Sequence, residues 1–246
     1  MLKVNSTELQ NNFGRYLMLA QDQDILITRN GQEVAKLSAA NSFKKKTDSG
    51  NCAEEALSSG YGLRKATYEG FLELTKDTDE RYEYIDGDIF LLSSPKSDHQ
   101  LALGEIYGTF FNFFRGKTCI PMVAPYDITI KRSEDNINVV QPDVMVICDL
   151  DEQLGDDGYY KGVPTLVVEI LSDNTLRNDL IKKLDLYMAG GVAEYWIADP
   201  KNKTITVYTF KENDIDDNIT YGASDKALSV IFPGLAVDLE QVFRGI

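Results

Sequence analysis

Histidine is almost missing from this chain of 246 residues. His99 stands alone, which excludes a multi-histidine metal centre and any mechanism that needs two imidazoles. Cysteine is nearly as scarce: Cys52, Cys119 and Cys148 are unclustered and odd in number. That argues against a disulfide framework or a zinc knuckle and fits a reducing compartment, the cytoplasm. No apolar run approaches the roughly 20 residues of a spanning helix. The N-terminal MLKVNSTELQNNFGRYL puts charged and amide residues where a signal peptide needs an unbroken apolar core. The expectation is a cytoplasmic protein with no membrane association, in which the N-x-T triplets at Asn202 and Asn218 carry no glycan. There is no internal repeat, no GxGxxG and no GxSxG. Gly116-Lys117-Thr118 resembles the end of a phosphate-binding loop, but Phe111 stands where the earlier glycine belongs.

What is present is the composition of a folded protein, with 43% hydrophobic and 26% charged residues. The net charge of −14 is unevenly spread. Residues 1–46 carry seven Lys/Arg against four acids, whereas the remainder carries 18 against 35. A basic head on an acidic body implies that contact with a phosphate backbone begins at the head, because such affinity is largely neutralised phosphate.

Residues 1–38 read as a β-α-β-β unit. Leu2-Lys3-Val4 is a short strand, and Asn5 followed by Glu8 has capping-box spacing. Leu9, Phe13, Tyr16, Leu17 and Ala20 then fall on one helical face. Asp24–Thr28 and Glu33–Leu37 read as strands around Arg29-Asn30-Gly31-Gln32, where Asn-Gly supplies the positive φ angles of a tight hairpin. So small a unit rarely buries enough surface alone, so a homodimer is expected. The run NSTELQNNFGRYL followed by DILITRNGQEVAKL resembles the DNA-binding half of Phd/YefM-type antitoxins. The resemblance implies a dimeric head whose Lys3, Asn11, Arg15 and Arg29 contact operator DNA, and it leaves room for a toxin-like protein partner. The alternative for these four is a solvated face of a dimerisation module.

Residues 39–66 read as a linker rich in Ser, Lys, Asp, Asn and Gly. Beyond it lies a hairpin turning at Asp86-Gly87, a helix from Asp98 to Phe114, and strands near Ile120–Val123, Tyr126–Lys131, Asp143–Cys148 and Leu166–Leu171. A helix over Leu176–Ala189 and strands at Glu194–Ala198 and Thr204–Tyr208 follow. The fold class is α/β (α+β), a mixed sheet flanked by helices.

Two carboxylates stand where acid is costly. Leu166-Val-Val-Glu169-Ile-Leu171 is a continuous apolar strand with one acid inside, and Pro142-Asp143-Val-Met-Val-Ile147 opens another. Burying an unpaired carboxylate costs several kcal/mol, so each has a cationic partner or binds a metal. Two carboxylates from neighbouring strands suit an oxygen-preferring ion such as Mg2+. At about 100° per residue, Leu176, Leu180, Leu184 and Tyr187 share a helical face with Lys183 on its border and Lys182 pointing away. Lys183 is then the lysine able to reach the core, with Asp179 one turn before it.

RYEYIDGDIFLLSSPKSDHQ, APYDITI, QPDVMVICD, GVPTLVVEILSDNT, DLIKKLDLYMAGGVAEYWIADP and IFPGLAVDLEQVF, in that order, look like the Uma-type endonuclease family of the PD-(D/E)XK, restriction-endonuclease-like superfamily. The resemblance covers residues 67–246. It implies that Asp143 and Glu169 bind Mg2+ or Mn2+, that Lys183 orients the attacking water or stabilises charge at phosphorus, and that Glu83 is an additional acid. The chain departs from the literal motif, since Leu171 occupies the position two residues past Glu169 and the lysine comes from the helix. Structural readings stand beside these: Asp143 as a turn cap, Glu169 and Lys183 as an ion pair, His99 as a helix cap or surface residue, and Tyr187, Tyr195 and Trp196 as core. Two functions follow. One is a metal-dependent nuclease directed or autoregulated by its DNA-binding head; the other is a catalytically silent dimeric antitoxin or repressor that binds DNA and a protein partner.

Overall fold

The computed structural model describes residues 2–5, 9, 16, 20, 24–29, 32–37, 64–172 and 179–246. The chain divides into two compact units, residues 1–60 and 61–246. In the first, β1 (Leu2–Asn5) pairs in parallel with β2 (Ile25–Arg29), and β2 pairs antiparallel with β3 (Gln32–Leu37). Parallel neighbours need a crossover, and residues 9, 16 and 20 between them are helical. Val4, Tyr16, Ala20 and Ile25 form the buried centre, with Leu2, Leu9, Ile27 and Leu37 packed against it. The strands begin or end one residue away from the sequence expectation.

In chain order the second unit runs through β4 (Arg64–Lys65), α1 (Tyr68–Thr75), β5 (Tyr82–Ile85), β6 (Asp88–Leu91), α2 (Ser97–Phe114), β7 (Ile120–Val123), β8 (Ile128–Ser133), β9 (Asn136–Val140) and β10 (Val144–Ile147). It continues through α3 (Leu150–Gln153), β11 (Leu166–Ile170), a π-helical turn (Asp179–Lys183), α4 (Leu184–Gly190), β12 (Glu194–Asp199), β13 (Thr204–Lys211), β14 (Asp214–Tyr221), β15 (Lys226–Leu228), β16 (Ala236–Asp238) and α5 (Leu239–Val242). The larger sheet has the order β14-β13-β12-β11-β10-β7, antiparallel except for the parallel pair β11 and β12, which the π turn and α4 connect. A second sheet runs β4-β6-β5-β9-β8.

Alternation along the central strands sorts two faces of the larger sheet. Val144, Val146, Leu166, Val168, Ile170, Trp196 and Ala198 meet Ala102, Ile106, Phe110 and Phe114, a buried stripe recurring every four residues of α2. Phe110 sets its ring edge-on to Trp196, with centroids 5.5 Å apart. The opposite face carries Met145, Val167, Glu169 and Tyr195. There Tyr187 of α4 meets Tyr195, with ring centroids 5.0 Å apart. Two glycines end α4: Gly191 takes φ of 91° as its left-handed cap, and a Cβ at Gly190 would overlap Ile130 of β8. The second sheet is thereby packed against the helix that follows the lysine-bearing π turn.

The hairpin of β5 and β6 turns at Asp86-Gly87, both with positive φ (50° and 81°), as its sequence foretells. Buried Asn138 of β9 braces it: its Oδ1 accepts the Asp86 amide at 2.8 Å and its Nδ2 donates to Asn136 Oδ1 at 2.7 Å.

Three features correct the sequence reading. Cys119 and Cys148 are disulfide-bonded across the ends of adjacent β7 and β10, so one pair exists where no disulfide framework was expected. A separation of 29 residues gave no sign that the register would set them side by side. The 176–189 helix is not one regular α-helix, since its described part begins as a π turn. β14 went unread because Asp214, Asp216 and Asp217 break its apolar pattern; it is an edge strand, where charge is affordable and blunts edge-to-edge pairing. Among the described residues no helix is long and apolar enough to cross a membrane.

Candidate functional site

Antiparallel register pairs Val144 with Val168, so Asp143, one step before β10, stands across from Glu169. Asp143 Oδ2 accepts the Ile170 amide at 2.8 Å and lies 3.2 Å from His99 Nε2. Its Oδ1 accepts no hydrogen bond among the described residues, and the side chain keeps 17% exposure. Glu169 is enclosed. Its Oε1 receives Lys183 Nζ at 2.9 Å and the Tyr187 hydroxyl at 2.6 Å.

Lys183 also donates to Glu83 Oε1 at 2.9 Å. That same oxygen accepts the amide of Gln141 at 2.9 Å, two residues before Asp143. One buried ammonium thus joins a carboxylate of the large sheet to one of the small sheet, and Glu83 ties both to the segment carrying Asp143. Glu83, Glu169 and Lys183 are all more than nine-tenths buried, where a lone charge would be costly and a shared one is tolerated. Burial first, then the Glu169 and Glu83 carboxylates, hold the Tyr187 phenol well above its ordinary pKa, so it stays a donor to Glu169.

Of the sequence-predicted residues, the structure brings Glu83, Glu169 and Lys183 into contact and sets Asp143 beside Glu169 across the strands. Lys182 departs from expectation. It does not point away but donates to Asp88 Oδ2 of β6 at 2.9 Å, with Phe90 beneath its ammonium at 4.8 Å. A π turn advances by less than the 100° of an α-helix, so two consecutive lysines reach the same hairpin. The Asp179 side chain, Asn11 and Arg15 lie outside the described residues. Lys3 is exposed on β1, and Arg29 ends β2 with its side chain outside the description.

His99 differs more. It is neither cap nor surface: it lies buried in the first turn of α2 against Asp143, and Lys96 is the N-cap. Tyr187 is core, as read, but its hydroxyl reaches Glu169. Nothing in spacing signals the His99 contact, since 44 residues separate it from Asp143. The Tyr187 contact was legible in principle, because one helical turn separates it from Lys183.

Among the described residues, no group of three or more His, Cys, Asp or Glu gathers as a ready-made metal site. The donor chemistry still fits Mg2+ or Mn2+, because such an ion keeps several waters and takes only one or two carboxylates. Asp143, with Oδ1 unbonded, and Glu169 opposite it would be the protein ligands.

In fold, the chain is similar to a solved structure described as "a putative nuclease belonging to DUF820" from Anabaena variabilis. The TM-score is 0.59 at 19% identity, covering 72% of this chain and 97% of that one. An uncharacterized protein of Synechocystis sp. is 26% identical over 184 residues, 74% of this chain and 93% of its own length. The family model Uma2, described as "Putative restriction endonuclease", matches residues 68–240, and the chain therefore belongs to that family.

Proposed function

We propose that the protein is a metal-dependent endonuclease that hydrolyses phosphodiester bonds in nucleic acid, most naturally DNA. The observation that carries this reading is the pairing of Asp143 and Glu169 across adjacent strands, with Lys183 hydrogen-bonded to Glu169 at 2.9 Å. Asp143 and Glu169 would hold Mg2+ or Mn2+. When bound, such an ion polarises a phosphate and lowers the pKa of a coordinated water. Lys183 supplies a fixed positive charge beside the reacting phosphate, preorganised by Glu83 so that no reorganisation is needed as charge develops. Tyr187 keeps Glu169 in one rotamer. Asp143, the most open of these five side chains, faces substrate. In this reading the head is a homodimeric antitoxin-like module that brings the nuclease to DNA through Lys3, Asn11, Arg15 and Arg29 and accommodates a toxin-like partner.

A second reading has its own support. Lys183 is committed to two carboxylates, as a catalytically silent body would have it. The protein is then a dimeric repressor binding DNA and a protein partner. Incubation of plasmid DNA and RNA with the full chain in Mg2+ or Mn2+, beside a Glu169→Ala/Lys183→Ala double variant, separates the two. Cleavage that disappears in the variant supports the nuclease; absence of cleavage with both ions and both substrates overturns it in favour of the repressor.

A further inference from the structure

His99 is buried to 8% exposure, yet among the described residues only one of its ring nitrogens has a partner. Nε2 lies 3.2 Å from Asp143 Oδ2, while Nδ1 is buried with no hydrogen bond. A carboxylate oxygen only accepts, so Nε2 carries the proton and donates. Burying a polar nitrogen without a partner costs free energy, and an imidazole kept for packing alone is readily replaced by an apolar ring. The sole polar gain from this ring among the described contacts is its hold on Asp143.

That hold has a direction. The imidazole and the Ile170 amide donate to the same oxygen, Oδ2, from two different elements, α2 and β11. Two donors on one oxygen fix the carboxylate rotamer and leave Oδ1 unbonded at the partly open side. The amide alone sets a distance; the ring adds the second point that stops rotation about the Cβ–Cγ bond. Ligating carboxylates generally depend on such outer hydrogen bonds, whose loss costs 10- to 100-fold in metal affinity or activity.

We propose that His99 is the positioning residue of this site: through Nε2 it fixes Asp143 so that Oδ1 faces a divalent cation. The proposal rests on the metal-dependent reading above. Its test is Mn2+ binding to the full chain by titration calorimetry and electron paramagnetic resonance, for the wild type, Asp143→Asn, His99→Ala, His99→Gln and His99→Asn. Glutamine can bring its amide near the Nε2 position, whereas asparagine reaches only as far as Nδ1. The expected result is a Mn2+ site abolished by Asp143→Asn, weakened about 10- to 100-fold by His99→Ala and by His99→Asn, and largely restored by His99→Gln. If His99→Ala binds Mn2+ as the wild type does while Asp143→Asn does not, the positioning role is overturned and the nuclease reading stands. If the wild type has no Asp143-dependent Mn2+ site, the metal-dependent reading itself falls and the positioning role with it. Should His99→Ala fail to fold, the glutamine and asparagine variants decide: equal affinities overturn the proposal.

Discussion

Replacing Lys183 with methionine keeps the unbranched side chain as far as its fourth atom and removes the ammonium, which tests the electrostatic role of that buried charge. In the wild type, Oε1 of Glu83 and Oε1 of Glu169 each lie 2.9 Å from Nζ, so the two oxygens are within about 6 Å of each other. Without the lysine, two carboxylates buried beyond nine-tenths face one another. At an effective dielectric of about 20 their repulsion alone is about 3 kcal/mol, and breaking a buried ion pair by removing one partner typically costs about 3–5 kcal/mol. Lys183→Met is therefore expected to lower the unfolding free energy at pH 7 by about 3–5 kcal/mol, a large share of a typical total. Urea unfolding followed by fluorescence of the single tryptophan, Trp196, fully buried on β12, measures it. The sign of the pH dependence is fixed as well. In the variant one carboxyl has its folded pKa raised above the unfolded value of about 4.3, so the missing stability returns toward acid pH and is lost as pH rises. Glu83→Gln added to Lys183→Met removes the repulsion and recovers part of the loss at pH 7. A variant that unfolds at the wild-type urea midpoint, or a deficit that does not shrink between pH 7 and pH 5, would refute the shared-ammonium account.

Glu194 is a different buried acid: it accepts from Trp196 Nε1 at 2.6 Å and from the amides of Val230 and Ile231 at 2.8 and 3.0 Å. Glu194→Ala strands the buried Trp196 donor and two part-buried amides and is expected to cost about 1–3 kcal/mol; a urea midpoint unchanged from wild type contradicts this. The Tyr160 hydroxyl donates to Asp149 Oδ1 at 2.6 Å, and burial followed by Asp149 raises its pKa. Unfolded phenols ionise near pH 10 while this one keeps its proton, so its contribution is present below about pH 10 and is lost as pH rises through the folded value. Tyr84, Tyr187 and Tyr208 are raised too. Tyr160→Phe is expected to remove about 1.4 kcal/mol of the stability lost in total between pH 9 and 11, measured by urea unfolding at those two values; an unchanged alkaline loss contradicts it.

Local chemistry made much of this protein legible in its sequence. Asp86-Gly87 fixed a hairpin because both residues tolerate positive φ. The apolar run around Glu169 could only be a strand buried on both faces, and an acid inside it needed a partner. Helical periodicity picked Lys183 as a residue able to reach the core. These are short-range rules, in which the residues concerned are close in sequence and physics acts on neighbours.

What only the tertiary structure decided depends on register and on which elements meet. Lys182 joins the hairpin because the turn before α4 is π and not α, a change of winding that no hydrophobic pattern encodes. Glu83 reaches Lys183 from 100 positions away, across two sheets. His99 meets Asp143 only because the first turn of α2 lies at the mouth of β10, and Cys119 meets Cys148 only because β7 pairs with β10 in one register. The sequence by itself determined which groups must find partners, since burial makes an unpaired charge too costly. Which partners they found was set by the packing of distant segments, whose free energy is summed over the whole core and is written in no single stretch of chain.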